Sequence, residues 1–275
     1  MARPYRLQLE NCIYHITSRG DDRKKVFISK YDFEKFLEYI KSAKEKHKFY
    51  LYAYVLMSNH YHLLLETSQP NLSKIMHYIN TSYTVYYNTK RRRSGHVFQG
   101  RYKSIIVDGD SYFLELSRYI HLNPVRAKIV NEHSEYKWSS YSGYIKKKGD
   151  GYIDKERMRN YIDMSVAEYR KFVLSGIGED KNPFAEVYAG FILGKTKFIK
   201  ERLEDLKGQV EGEVSHKKVL TSCTDIESIV RLTADKYRDS VEDIYKAKKK
   251  PLLSKKIAVY LSKRLTGLTN REIGG

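Results

Sequence analysis

The sequence predicts an α+β fold: a ferredoxin-like antiparallel sheet with helices on one face, followed by an all-α C-terminal region. Three observations predict it. Four short β-prone runs occur near 11–19, 49–57, 60–66 and 102–107. Two long stretches, 30–47 and 72–90, carry apolar residues at helical spacing. Their order is β-α-β-β-α-β, the connectivity of a split βαβ sandwich.

Each element has its own signal. Residues 11–19 read as a strand ending at Gly20, where Asp21 and Asp22 begin a polar turn. Phe33, Phe36, Leu37 and Ile40 line one face of the first helix. The strand from Phe49 to Met57 reaches a tight turn at Ser58 and Asn59. The next strand, residues 60–66, begins with two histidines two residues apart, His60 and His62. Pro70 and Asn71 punctuate the chain before the second helix, which aligns Leu72, Ile75, Met76 and Ile79. A fourth strand at 102–107 is followed by a third helix, about 109–127, in which Pro124 marks a kink or the end. Trp138, Ser139, Ser140 and Tyr141 are expected to pack a segment onto this domain. Beyond it come an exposed loop at 146–151, a helix near 165–174, a polar linker at 207–222 and renewed helical periodicity from Asp225. The expected divisions are 1–145, a helical extension and linker over 146–222, and a helical segment over 223–275.

The charge balance points to a polyanion. Lys and Arg total 51 against 33 Asp and Glu, a formal net charge of +18. Such an excess most often serves nucleic acid. The 25 tyrosines add aromatic faces suited to stacking on unpaired bases. Residues 90–104 concentrate both features, with Arg91, Arg92, Arg93, Arg101 and Lys103 as candidate phosphate contacts and Phe98 as a candidate stacking ring. Lys248, Lys249 and Lys250 form a second basic cluster. Cys12 and Cys223 are far apart and have no CxxC partner, so they suggest neither a disulfide framework nor a zinc ribbon and fit a reducing cytoplasm. No apolar run approaches membrane-spanning length, so a cytoplasmic, nucleoid-associated protein with no membrane partner is expected.

The histidine strand is the chemical centre. Alternate strand residues share a face, so His60 and His62 project together and Tyr61 points to the other side. Two neutral imidazoles held this way can clamp a metal. On the third helix, Tyr119 and Asn123 are four residues apart and share a face, whereas His121 points elsewhere. A tyrosine near a metal-bound phosphate is a competent nucleophile, although holding it as phenolate at pH 7 costs about 4 kcal/mol.

At these residues a family resemblance appears. SNHYHLLLE, residues 58–66, resembles the HUH signature of single-strand DNA endonucleases. With YHITSRG at 14–20, GHVFQGRYKS at 95–104 and RYIHLNPVRAKIV at 118–130, the match is close to the REP-associated tyrosine transposases. Tyr61 stands where aliphatic residues are usual in that signature, so its hydroxyl needs a partner. The resemblance implies that His60 and His62 hold Mg²⁺ or Mn²⁺, that Tyr119 is the nucleophile, and that Asn123 supplies a third ligand oxygen. It implies cleavage and rejoining of single-stranded DNA at hairpins, REP-like palindromes, through a 5′-phosphotyrosine, by a monomer or a homodimer. The alternative is a non-catalytic DNA-hairpin-binding regulator, and an RNA-binding protein is a third reading. Residues 226–275 resemble the duplex-binding domain of the replication initiator DnaA, which implies duplex DNA contacts there. That match stops at Gly275, where its recognition helix would begin, so a truncated module is expected.

Binding should depend steeply on salt. If about 6–10 phosphates are neutralised, affinity measured by fluorescence anisotropy falls about 10³–10⁵-fold between 50 and 200 mM salt. A flat response contradicts the polyanion reading.

Overall fold

Tyr61, Leu63 and Leu65 alternate with His60, His62 and Leu64 along one strand, and this alternation sets the two faces of the sheet. The computed structural model describes residues 8–146, 150–179, 182–207, 226–246 and 252–266. The strands are β1 (Cys12–Arg19), β2 (Phe49–Met57), β3 (His60–Thr67) and β4 (Lys103–Val107). The helices among them are α1 (Lys30–His47), α2 (Leu72–Lys90) and α3 (Gly109–Arg126). With a two-residue strand β5 (Ile192–Leu193), the sheet order is β2-β3-β1-β4-β5. β1 pairs antiparallel with β3 and β4, and β2 pairs antiparallel with β3. This is the expected β-α-β-β-α-β architecture.

The Tyr61 face is covered by α1 and α2. The Phe36 ring of α1 lies 4.8 Å from Tyr61, and the Tyr61 hydroxyl donates to Asn80 Oδ1 of α2 at 2.8 Å. That bond supplies the partner the hydroxyl needs once buried. Leu63, Leu65, Ile16, Ile40, Ile75 and Ile79 are fully buried in this layer. Each such side chain contributes about 1.5–3 kcal/mol relative to exposure. α3 crosses the opposite face, where Phe113 meets the Tyr52 ring of β2 at 5.1 Å. Pro124 sits in the last turn of α3, where the chain continues as helix only to Arg126.

The unit containing the sheet continues past residue 145 to Glu186 and includes residues 193–195. Trp138 stacks on Phe33 at 4.5 Å, and its carbonyl accepts the Leu56 N–H at 2.9 Å, so this segment docks as expected. Three short helices follow: α4 (Tyr141–Ile145), α5 (Lys155–Met158) and α6 (Val166–Ser175). The first two carry little sequence signal, since four or five residues are too few to show a helical period. Arg157 of α5 reaches the buried Glu66 of β3 at 2.6 Å and ties the extension to the sheet.

The second unit holds α7 (Thr196–Lys207), α8 (Ile226–Tyr237), α9 (Val241–Lys246) and α10 (Leu253–Thr266). Val230, Ala234, Ile244 and Ala258 form the small core of α8–α10. The linker expected at 207–222 lies, beyond Lys207, outside the described residues. No helix among the described residues is long and apolar enough to cross a membrane.

Two ion pairs to one carboxylate join α1 to the end of α2. Asp32 closes a capping box with Ser29 at the start of α1. Its fully buried carboxylate also meets Arg91 at 2.6 Å and Lys90 at 2.9 Å. Burial pushes the Asp32 pKa up, but Arg91, the Ser29 amide, Lys90 and the Ile28 amide together hold it well below the usual carboxylate range. A pKa depressed by folding contributes stability that is complete above the unfolded value of about 4 and is lost as pH falls through the folded one. Asp32→Ala should therefore cost about 3–5 kcal/mol at neutral pH in urea unfolding, with a smaller difference in acid. A loss below about 1 kcal/mol would contradict this role.

Candidate active site

The turn from β2 to β3 places Asn59 directly before the histidine strand. Asn59 Nδ2 donates to the Arg23 carbonyl at 3.2 Å, which leaves Oδ1 to accept the His60 Nδ1 proton at 2.6 Å. The second histidine is held in a similar way. His62 Nδ1 lies 2.9 Å from Nε2 of His15, and the two rings stack at 5.1 Å. His15 comes from β1, whose register sets Thr17 opposite His62 and Arg19 opposite His60. Both Nδ1 atoms are thus engaged, and each ring keeps Nε2 for a ligand. The His60 and His62 rings are 5.2 Å apart.

The electrostatics keep these rings neutral. Burial, aided by Arg19, lowers the His60 pKa to about 4. Burial, with His15, His60 and Arg19 adding repulsion, holds His62 well below its ordinary value. Burial lowers His15 to about 3. Neutral imidazole is the form that binds a metal. No group of three or more His, Cys, Asp or Glu able to hold a metal occurs among the described residues. The two neutral imidazoles would be the side chains to hold a divalent ion here.

α3 places Tyr119 beside His62 and His15. Its half-buried ring lies edge-on to His62 at 5.8 Å and to His15 at 6.5 Å. The Arg126 guanidinium sits 5.1 Å from the ring, and Phe184 packs edge-on against it at 5.1 Å. Phe184 also lies 4.7 Å from His15, so it closes one side of the site. Asn123 follows one turn after Tyr119, and its Nδ2 donates to the Tyr119 carbonyl at 2.8 Å. The structure thus brings His60, His62 and Tyr119 together, while the Asn123 amide nitrogen engages its own helix. His121 faces away, as expected, and bonds Tyr169 and Ser140 in the core. Two other tyrosines are poor nucleophiles. Tyr83 is buried and donates to the Val26 carbonyl at 2.5 Å. Tyr112 donates to Glu186 at 2.5 Å, and burial with that carboxylate raises its pKa to about 12.

The basic loop divides into inward and outward members. Arg91 is committed to Asp32 and stacks on Tyr87 at 4.0 Å. Arg92 and Arg93 are exposed, and Arg93 donates to the His96 carbonyl at 3.0 Å. Arg101 and Lys103 are exposed as well, and Lys103 pairs in register with Thr17, on the histidine face. Phe98 corrects the expectation of a base-stacking ring. It is 6% exposed and lies 5.8 Å from Tyr61 and 6.1 Å from Tyr83, because an apolar ring gains more from the core than from water. Lys248, Lys249 and Lys250 lie outside the described residues.

Sequence reasoning assigns no role to His15, Arg126 or Phe184. His15 has a local signal, the strand parity it shares with Thr17 and Arg19. Its pairing with His62 follows only from the β1–β3 register.

The site is thus an antiparallel sheet carrying a histidine pair, with a helix tyrosine beside it. Residues 8–123 match the family described as "Transposase IS200 like". No curated protein matches the chain. Among solved structures, a REP-associated tyrosine transposase bound to a REP hairpin is similar at 16% identity, covering 60% of this chain and 96% of that one, with a TM-score of 0.47. A candidate transposase from Deinococcus radiodurans R1 is similar at 16% identity, covering 47% and 91%, with a TM-score of 0.31. The tRNA(His) guanylyltransferase of Saccharomyces cerevisiae is similar at 10% identity, covering 66% and 86%, with a TM-score of 0.34. At these identities none of the three assigns a substrate to this chain.

The Asn59 bond is testable. Asn59→Ala should lower Mn²⁺ affinity about 10–100-fold by calorimetric titration while leaving the circular dichroism spectrum unchanged. Unchanged affinity would show that His60 needs no such partner.

Proposed function

We propose that this protein is a transposase that cleaves and rejoins hairpin-bearing single-stranded DNA through a tyrosine–DNA intermediate. The observation that carries the reading is the Tyr119 ring held 5.8 Å from His62, whose ring lies 5.2 Å from that of His60. His60 and His62 would hold Mg²⁺ or Mn²⁺, with Asn123 as a candidate third ligand. A metal there supplies Lewis-acid polarisation of a phosphate oxygen. The chain's own residues do the rest. Tyr119 Oη attacks phosphorus as its proton leaves to solvent, and the bond from phosphorus to the 3′-oxygen breaks. The products are a 5′-phosphotyrosine and a 3′-hydroxyl, and attack by that or another 3′-hydroxyl restores a phosphodiester. Arg126 beside the Tyr119 ring offsets part of the cost of the developing phenolate. The exposed Arg92, Arg93, Arg101 and Lys103 contact phosphates along the strand. REP-like palindromes are the proposed hairpins, and the second unit, with α8–α10, is the proposed contact for duplex DNA.

A denaturing gel tests the reading, with labelled hairpin DNA from repeats flanking the gene and with Mn²⁺ or EDTA. Wild-type protein should give a metal-dependent covalent band. Tyr119→Phe should lose it while still binding DNA, and His60→Ala should lose metal-dependent cleavage. DNA binding without any adduct on several hairpins would favour a non-catalytic regulator.

A further inference from the structure

Tyr119 forms a partition. One side of its ring faces His15 and His62. The phenol also lines a cavity of about 430 Å³, beside a stripe of α3 that includes Tyr112, Glu115 and Arg126. The opposite wall is the 182–186 segment together with Lys195. This volume falls within the range of about 300–1,000 Å³ usual for small-ligand sites.

The charges in the wall are unequally matched. Arg118 is buried and held by Glu115 at 2.6 Å and Glu179 at 3.4 Å. Glu186 accepts the Tyr112 hydroxyl proton at 2.5 Å. Arg126 and Lys195 are exposed, and among the described residues neither has a carboxylate within ion-pair distance. Asn182 Oδ1 accepts the Phe184 N–H at 3.0 Å, which leaves its amide N–H groups as donors. The cavity therefore offers an aromatic face, two unmatched cations and a side-chain donor. That is the chemistry of a single nucleotide: a base to stack, a phosphate to pair and a base edge to accept a hydrogen bond.

We propose that this cavity holds one unpaired nucleotide of the substrate strand, adjoining the phosphate that Tyr119 attacks. The base lies against Tyr112, and the phosphate lies between Arg126 and Lys195. The proposal rests on the reading of Tyr119 as the nucleophile. A strand passing over the partition from the histidine side enters the cavity at the next nucleotide. The site would make cleavage sensitive to an unpaired base outside the hairpin.

The test separates this site from the reading it rests on. Hairpin DNA with single-stranded arms receives an abasic residue at each arm position in turn. Affinity is measured by anisotropy on full-length Tyr119→Phe protein, which does not need cleavage. One abasic position should weaken binding about 5- to 150-fold, the effect of losing one stacked base. Adding Tyr112→Leu should abolish that sensitivity, whereas Tyr112→Phe, which keeps the ring and loses the Glu186 bond, should retain it. Lys195→Gln should reduce the slope of log affinity against log salt by about 1. An abasic loss as large after Tyr112→Leu as with the native tyrosine would overturn the site, as would arms with no sensitive position. A wild-type protein that shows the Tyr112 coupling but forms no covalent adduct would overturn the nuclease reading and leave the nucleotide site standing.

Discussion

The site depends on the two-residue period of β3. Tyr61 is anchored inward by Phe36 and by Asn80, so His60 and His62 must project from the opposite face. A one-residue slip of this strand would bury both imidazoles under α1 and α2 and turn Tyr61, Leu63 and Leu65 to the other face instead. The same pairing brings His15 across from β1 to hold His62. Hydrophobic burial on one face thus fixes the chemistry on the other.

Desolvation then sets the charge state. Burial is the main cause at all three imidazoles, and the Arg19 charge adds repulsion at His60 and His62. Both effects favour the neutral ring, which is the form with a lone pair to give. Cations stand at the rim, where Arg126 lies beside Tyr119 and Lys103 lies in register with the histidine face. The arrangement combines an uncharged histidine pair with a field that attracts anions. The Asp32 ion pair plays a more distant part, because it fastens the end of α2, from which the exposed Arg92 and Arg93 extend.

Local patterns are the legible part. Hydrophobic periodicity locates β1 to β4 and α1 to α3 within a residue or two, and strand parity pairs His60 with His62. Helical spacing puts Tyr119 and Asn123 on one face. What cannot be read depends on contacts distant in sequence. Arg91 reads as one of a run of phosphate-binding cations, yet its partner Asp32 is 59 residues away. Phe98 reads as a stacking ring because its neighbours are basic, and only the packed sheet shows that it fills space beside Tyr61 and Tyr83. The 182–186 segment has no periodic pattern, so neither Phe184 nor the cavity beside Tyr119 leaves a signal in the sequence.

The most direct measurement is a peptide map of the covalent protein–DNA adduct. Wild-type protein would be trapped on hairpin DNA with Mn²⁺, digested with nuclease and protease, and read by mass spectrometry. The account predicts a nucleotide remnant on the peptide containing Tyr119, carried by that tyrosine. A remnant on Tyr112, on Tyr83 or on any other residue would contradict it.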